Sequence, residues 1–176
     1  MPVKALPRGK SRLADVLDGD ARAELMLSLM RRVIRACLEA GLEVCVVSPD
    51  AAVHAAARVL GASALDDGGR DLTGSVEFAL AHPAGAAGIA VVASDLPDIT
   101  AADVAELLAH ARPLAIVAAA DGTTNAIAAC PPTSFTPSYG PGSAARHGGA
   151  RVRIVGIERD IDLPSDLEPS LSECRG

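Results

Sequence analysis

Segments of two kinds alternate along this chain, and that alternation limits its architecture more than any other feature. Short apolar runs fall at residues 43–48, 89–93 and 114–118, with a further short one at 125–130. Stretches of helical spacing lie between them. From Arg22 to Ala40 the apolar side chains recur at Met26, Leu29, Met30, Val33 and Cys37, one stripe of an amphipathic helix, and Gly41 supplies its stop. Residues 51–60 and 72–82 read as helices closed by Gly61 and Pro83. Residues 101–111 follow Thr100, an N-cap, with Asp103 completing a variant capping box. Strands and helices in this order specify an α/β fold with a mainly parallel sheet. The spacing also predicts a last strand at 151–157 and a short helix near Asp166. Residues 66–71 read as a polar loop. Residues 131–149, with Pro and Gly throughout and no periodicity, read as a long functional loop. No repeat or linker interrupts 1–176, so a single domain is expected.

Composition removes several classes of function. With 176 residues, 49% of them hydrophobic, the chain can bury roughly 70% of its extended surface and needs no disulfide or structural metal. Its longest apolar runs are strand-length, too short to cross a bilayer. The net charge of −6 argues against a non-specific nucleic-acid binder, which would carry a basic excess. Phe78, Phe135 and Tyr139 are the only aromatic residues, so there is no stacking platform for single strands. Cys37, Cys45, Cys130 and Cys174 form no C-x-x-C pair and no zinc spacing, and the opening Met1-Pro2-Val3-Lys4 has no secretory character. A reduced, cytoplasmic protein is expected.

Four groups of residues carry candidate chemistry. Lys4, Arg8, Lys10 and Arg12 precede every acidic residue and flank Pro7 and Gly9. Such a basic loop either clamps phosphates or is a solvated terminus. Asp95 follows the most apolar run in Ser94-Asp95-Leu96-Pro97. Beyond a strand's carboxyl end it is placed either to hold Mg²⁺ or to cap the helix entry. Asp160 and Asp162, two apart on extended chain, share a face and form either a metal pair or part of an acidic tail. The loops Asp121-Gly122-Thr123-Thr124-Asn125 and Tyr139-Gly140-Pro141-Gly142-Ser143 allow close backbone approach to an anion, as ordinary turns also do. His147 is either a proton-transfer group or a solvated loop residue. No Walker loop, G-x-G-x-x-G, H-E-x-x-H or G-x-S-x-G is present.

The order of these motifs resembles one family. Pro2-Val3-Lys4 and Lys10-Ser11-Arg12-Leu13 come first, then Val46-Val47-Ser48-Pro49-Asp50 and Ser94-Asp95-Leu96-Pro97. Thr124-Asn125-Ala126, Tyr139-Gly140-Pro141-Gly142-Ser143-Ala144-Ala145-Arg146-His147 and Asp160-Ile161-Asp162-Leu163-Pro164 follow. Over nearly its whole length the chain resembles the guanylyltransferases that make the phospholactyl or phosphoenolpyruvyl precursor of the deazaflavin redox coenzyme. The resemblance implies a Rossmann-like nucleotide-diphospho-sugar transferase fold of the GT-A type, with a mixed, mainly parallel central sheet flanked by helices. It implies that a small phospho-acid (phosphoenolpyruvate, 2-phospholactate or 3-phosphoglycerate) is joined to GMP from GTP, with release of pyrophosphate. By the same resemblance Lys4, Lys10 and Arg12 hold the triphosphate, and Asp95, Asp160 and Asp162 carry Mg²⁺. Ser48, Asp50 and Thr73 lie at the nucleotide, and Thr124, Gly140 and Ser143 bind the phospho-acid. Thr73 stands where the family usually has Asn, and with only Met1 before Pro2-Val3-Lys4 the expectation is either a truncated first strand or a start internal to the natural one. The expected partners are GTP and the phospho-acid, without nucleic acid or membrane; a homodimer is also allowed. Another nucleotidyltransferase of the same fold, for a molybdenum cofactor or a sugar phosphate, and a catalytically silent nucleotide-binding module are the alternatives.

Overall fold

A computed structural model describes residues 1–82 and 86–167. Helix α1, Gly19–Glu39, begins at Asp18, whose carboxylate accepts from the Ala21 N–H at 2.8 Å. Its buried stripe contains the predicted Met26, Leu29, Met30, Val33 and Cys37 and adds Ile34 and Ala36. The helix ends in a Schellman arrangement. Gly41, at φ 83°, donates to Leu38 O and Leu42 donates to Cys37 O, so the last carbonyls keep partners. Helix α2, Ala51–Val59, ends in the same way at Gly61 (φ 89°), with Gly61 and Ala62 donating to Arg58 O and Ala57 O.

Strand β1, Cys45–Val47, pairs in parallel with β2, Ser63–Leu65. The latter is a strand that the sequence pattern does not announce. On the other side of β1, Pro2 makes a single parallel bridge to Val47, supported by Val47 N–H to Met1 O and Val3 N–H to Val47 O. A second sheet has the order β3-β5-β4-β6, formed by Ile89–Val92, Thr124–Ala129, Leu114–Ala118 and Ala150–Arg151. Strand β5 is antiparallel to both neighbours, whereas β6 runs parallel to β4. The fold is α/β with mixed sheets.

Strand β4 is buried on both faces, and its alternation divides the core. Ala115 and Val117 face Val33, Cys37, Leu96, Val104 and Leu107 of α1, the β3 exit and helix α4, Ala101–Ala109. Leu114 and Ile116 face the opposite side, with Ile127, Phe135, Ala144 and Val76 of helix α3, Leu72–Leu80. Thr100 caps α4 by the predicted reciprocal box with Asp103. A cavity of about 540 Å³ lies between β1, β3 and α3.

Two expectations are corrected. Residues 151–157 are not one strand: pairing stops at Arg151, and Val155–Glu158 forms a short helix, α6. Ile154 and Ile157 are buried three residues apart while Val155 is 81% exposed, so the apolar spacing serves a helical turn. The 131–149 segment is not structureless either, since it contains a 3-10 turn at Pro132–Ser134 and helix α5, Ser143–His147. The residues near Asp166 do form a 3-10 turn, Pro164–Leu167. Cys174 lies outside the described residues.

Candidate active site

The opening loop is held against α1 by Gly9, where a Cβ would overlap the Met26 sulfur. Lys10 follows in the left-handed region, φ 51° and ψ 38°, a conformation that costs a non-glycine residue about 1 kcal/mol or more. This backbone turns its side chain inward. The Lys10 ammonium, with only 7% of the side chain exposed, bonds the Asp95 carboxylate and the Ile161 carbonyl. Arg12, further out, pairs with Asp162 at 2.5 Å. Lys4 is exposed.

Three long-range contacts bring the last segment to this place. The Ile161 N–H donates to Asp95 O at 3.1 Å. Asn125, buried on β5, donates through Nδ2 to Ile157 O at 2.9 Å and Glu158 O at 3.3 Å. Ile161 itself is buried beside Leu13 and Leu29. Its neighbours Asp160 and Asp162 therefore face away from that cluster, as their spacing on extended chain requires. Burial pushes the Asp160 carboxyl above its ordinary range, and the negative charge of Asp95 pushes it further, with Asn125 and Lys10 acting the other way. Asp95 and Asp160 thus share one electrostatic environment, with the Lys10 ammonium beside them.

Among the described residues no three acidic, histidine or cysteine side chains converge into a metal centre by themselves. The donor set nevertheless fits Mg²⁺, which is commonly held by one or two carboxylates together with substrate phosphates.

A second cluster is neutral. Thr124, at the start of β5, has its Oγ1 2.9 Å from Ser143 Oγ and 3.1 Å from His147 Nδ1. The other ring nitrogen, Nε2, accepts the Ser138 N–H at 2.9 Å. Phe135 and Tyr139 meet the imidazole edge-on at 5.3 and 4.9 Å. Burial, and then the charge of Arg146, pull the His147 pKa below its ordinary value. Arg146 bonds Ser138 O and Tyr139 O at 3.1 Å each and also reaches Pro141 O. It therefore grips the turn containing Gly140, whose φ of 109° a side chain would strain. His147 is partly buried and hydrogen-bonded through both ring nitrogens, so it is not the solvated loop residue of one expectation.

The residues assigned to the nucleotide by resemblance are more dispersed. Ser48 is fully buried, and its hydroxyl accepts the Asp50 N–H at 3.2 Å. Asp50 caps α2 through the Ala52 N–H and accepts the Leu6 N–H, both at 2.9 Å, so it ties β1 to the basic loop. Thr73 Oγ1 accepts the Tyr139 N–H at 3.1 Å, linking α3 to the Gly140 turn. The intervening 66–71 loop is anchored by buried Asp67, which accepts the Ser75 hydroxyl and the Gly69 N–H. A cavity of about 460 Å³ opens beside it, lined by Arg70, Asp71, Gly74, Glu77 and Phe78. No helix of the described residues is long and apolar enough to cross a membrane.

Comparison with known proteins decides the family. The family described as guanylyl transferase CofC-like matches residues 1–161. The chain belongs to that family. Among its relatives is a phosphoenolpyruvate guanylyltransferase of Rubrobacter xylanophilus, 42% identical, covering 95% of this chain and 89% of the relative. Proteins of the same name from Sphaerobacter thermophilus and Geodermatophilus obscurus are 38% and 35% identical, covering 96% and 98% of this chain and 89% and 86% of theirs. In fold, the CofC-like chain matches a putative nucleotide-diphospho-sugar transferase from Desulfovibrio desulfuricans at TM-score 0.71 and 20% identity, over 92% of this chain and 80% of that one. It also matches a CMP:2-keto-3-deoxy-manno-octonic acid synthetase at TM-score 0.52 and 22% identity, over 66% and 49%. Asn125, Arg146 and His147 lie in motifs that the resemblance quotes. Their contacts run to backbone atoms and hydroxyls that no spacing rule announces.

Proposed function

We propose that this chain transfers a guanylyl group from GTP to phosphoenolpyruvate. An oxygen of the acceptor phosphate attacks the α-phosphorus of GTP and forms the new P–O bond. The bond from that phosphorus to the α,β-bridging oxygen breaks, and pyrophosphate leaves with the electron pair. The acceptor phosphate is already ionised near neutrality, so the step needs no general base. That suits a site in which the His147 imidazole is already engaged on both nitrogens.

Lys10 and Arg12 offset charge on the triphosphate, with Lys4 at the mouth of the loop. Asp95 and Asp160, with Asp162, would hold Mg²⁺. When bound, the ion would neutralise phosphate oxygens and the leaving pyrophosphate. Binding the nucleotide then requires Lys10 to exchange its Asp95 and Ile161 partners for phosphate oxygens. Ser48, Asp50 and Thr73 frame the nucleotide side chiefly by holding loops in place. Thr124, Ser143 and the Gly140 turn take the phosphate and carboxylate of the acid. Catalysis consists of positioning and charge stabilisation. The product would be the activated precursor of a deazaflavin coenzyme.

One observation carries this reading. Consecutive residues of β5 anchor the two clusters: Thr124 belongs to the hydroxyl network, and Asn125 holds the segment bearing Asp160 and Asp162. A charged region and a neutral one are thereby set side by side, as joining a nucleotide to a small acid requires. Purified protein with GTP and Mg²⁺ is expected to release pyrophosphate with phosphoenolpyruvate, and more slowly or not at all with 2-phospholactate or 3-phosphoglycerate. A folded protein releasing none with any of the three would overturn the proposal.

A further inference from the structure

His147 meets two polar partners, and the chemistry of one fixes its protonation. The Ser138 backbone N–H can only donate, so His147 Nε2, 2.9 Å away, must accept and carries no proton. A neutral imidazole with a bare Nε2 bears its hydrogen on Nδ1. Nδ1–H then donates to Thr124 Oγ1 at 3.1 Å.

The same threonine oxygen meets Ser143 Oγ at 2.9 Å. Ser143 is fully buried, whereas Thr124 is only partly so. Ser143 Oγ has no other hydrogen-bond partner among the described residues, so its hydrogen goes to Thr124, and Thr124 Oγ1 has both lone pairs filled, one by histidine and one by serine. Its own hydrogen is then left over, on the more exposed of the two hydroxyls. The opposite tautomer would reverse this. A bare Nδ1 would take the threonine hydrogen, and the Ser138 N–H would face another N–H.

We infer that His147 is a positioning residue that makes Thr124 a one-way hydrogen-bond donor, matched to a ligand group that only accepts, such as a carboxylate or phosphate oxygen. This rests on the proposed assignment of Thr124 to the phospho-acid. The histidine passes no proton to the reaction. It selects the acceptor by determining which hydrogen remains available, and Arg146 and the Ser138 N–H hold it in place.

The test has two parts. In ¹⁵N-labelled, ligand-free protein near pH 7.5, the ring resonances of His147, assigned by their loss in His147→Asn, are expected to show the Nδ1–H tautomer. An Nε2–H tautomer would overturn the inference. In kinetics, His147→Gln places its amide toward Ser138 and offers no donor at the Nδ1 position. It is expected to raise KM for the phospho-acid about tenfold or more, with KM for GTP unchanged. His147→Asn, which presents an N–H where Nδ1 sits, is expected to restore the acid KM to within about threefold of wild type. Equal weakening of both substrates by both variants, or a wild-type acid KM in His147→Gln, would also overturn it. If wild-type protein is inert toward every acid, the proposed function fails, and the tautomer measurement still decides this inference.

Discussion

Thr124 and Asn125 are neighbours on one strand, yet the clusters they anchor are built on opposite principles. The acidic cluster is assembled from remote parts of the chain: Lys10 meets Asp95 across 85 residues, and Arg12 meets Asp162 across 150. It is charged, and its order depends on opposite charges finding each other. The hydroxyl cluster joins residues 19 and 23 apart, carries no net charge in its hydrogen-bonded core, and closes on itself through Ser138 and Arg146. On the proposed function the first must give up internal partners to receive a nucleotide, whereas the second already has its donors aimed. That proposal makes one site out of a region that reorganises and one that is preorganised, and the variants below test whether the division is real.

The largest effect is expected from Asp95→Asn. It leaves the nearly buried Lys10 ammonium beside a neutral amide and removes a proposed ligand of the metal. Charge-assisted hydrogen bonds of this kind contribute about 1.5–3 kcal/mol, so the urea midpoint is expected to fall accordingly. Pyrophosphate release is expected to fall about 100-fold or more, the scale of losing one electrostatic stabiliser. Unchanged stability together with unchanged turnover would mean that the Lys10–Asp95 contact organises nothing.

Asn125→Ala comes next. It deprives the buried Ile157 carbonyl and the part-buried Glu158 carbonyl of their donor and leaves a void beneath α6. A loss of about 2–3 kcal/mol is expected from chemical denaturation, with lower turnover because Asp160 is no longer held opposite Asp95. The hydroxyl cluster, one residue away, should keep its geometry, so the His147 ring resonances should not move. If they do, the two regions are a single cooperative unit and the contrast drawn above fails.

The regions should also respond to pH with opposite signs. Asp160 has its folded pKa raised, so the folded state binds its proton more tightly. Its contribution is fully present below the unfolded carboxyl value and is lost as pH rises through the folded one. His147 has its folded pKa lowered. Its contribution is present above the unfolded value of 6.5 and is lost as pH falls through the folded one. Urea midpoints compared across pH should show Asp160→Asn gaining on wild type as pH rises from 4 toward 7. His147→Gln should lose less than wild type as pH drops below 6.5. Parallel slopes in the two variants would contradict the assignment of cause.

Much of this architecture could be read directly from residue pattern, for local reasons. Leu114–Ala118 is an uninterrupted apolar run because both its faces are covered, and Gly41 and Gly61 end helices because each adopts positive φ there. Ser63–Leu65 has no strand signature of its own, because its strand character comes from pairing with β1 rather than from its side chains. Residues 151–157 were misleading because β-branched residues at Val152, Ile154, Val155 and Ile157 satisfy a strand pattern, while burial at Ile154 and Ile157 obeys a helical one. At the site, the acids and lysines stood out as types. Their pairing did not, since it depends on a backbone carbonyl at Ile161 and a buried amide at Asn125. His147 was ambiguous for the same reason: its defining partner is a main-chain N–H.

The smallest effect on the fold is expected from Arg12→Gln, which separates holding the structure from holding the substrate. Arg12 and Asp162 are 64% and 42% exposed, so their pair is screened by water and contributes about 0–1 kcal/mol. The urea midpoint should scarcely move. If Arg12 nevertheless contacts the triphosphate, KM for GTP should rise several-fold and become less sensitive to salt, because one cation fewer meets the phosphates. KM for the acid, which the proposal assigns to Thr124, Ser143 and His147, should stay put. A change in the acid KM instead would place Arg12 on the other side of the site and move the boundary between the charged and neutral regions.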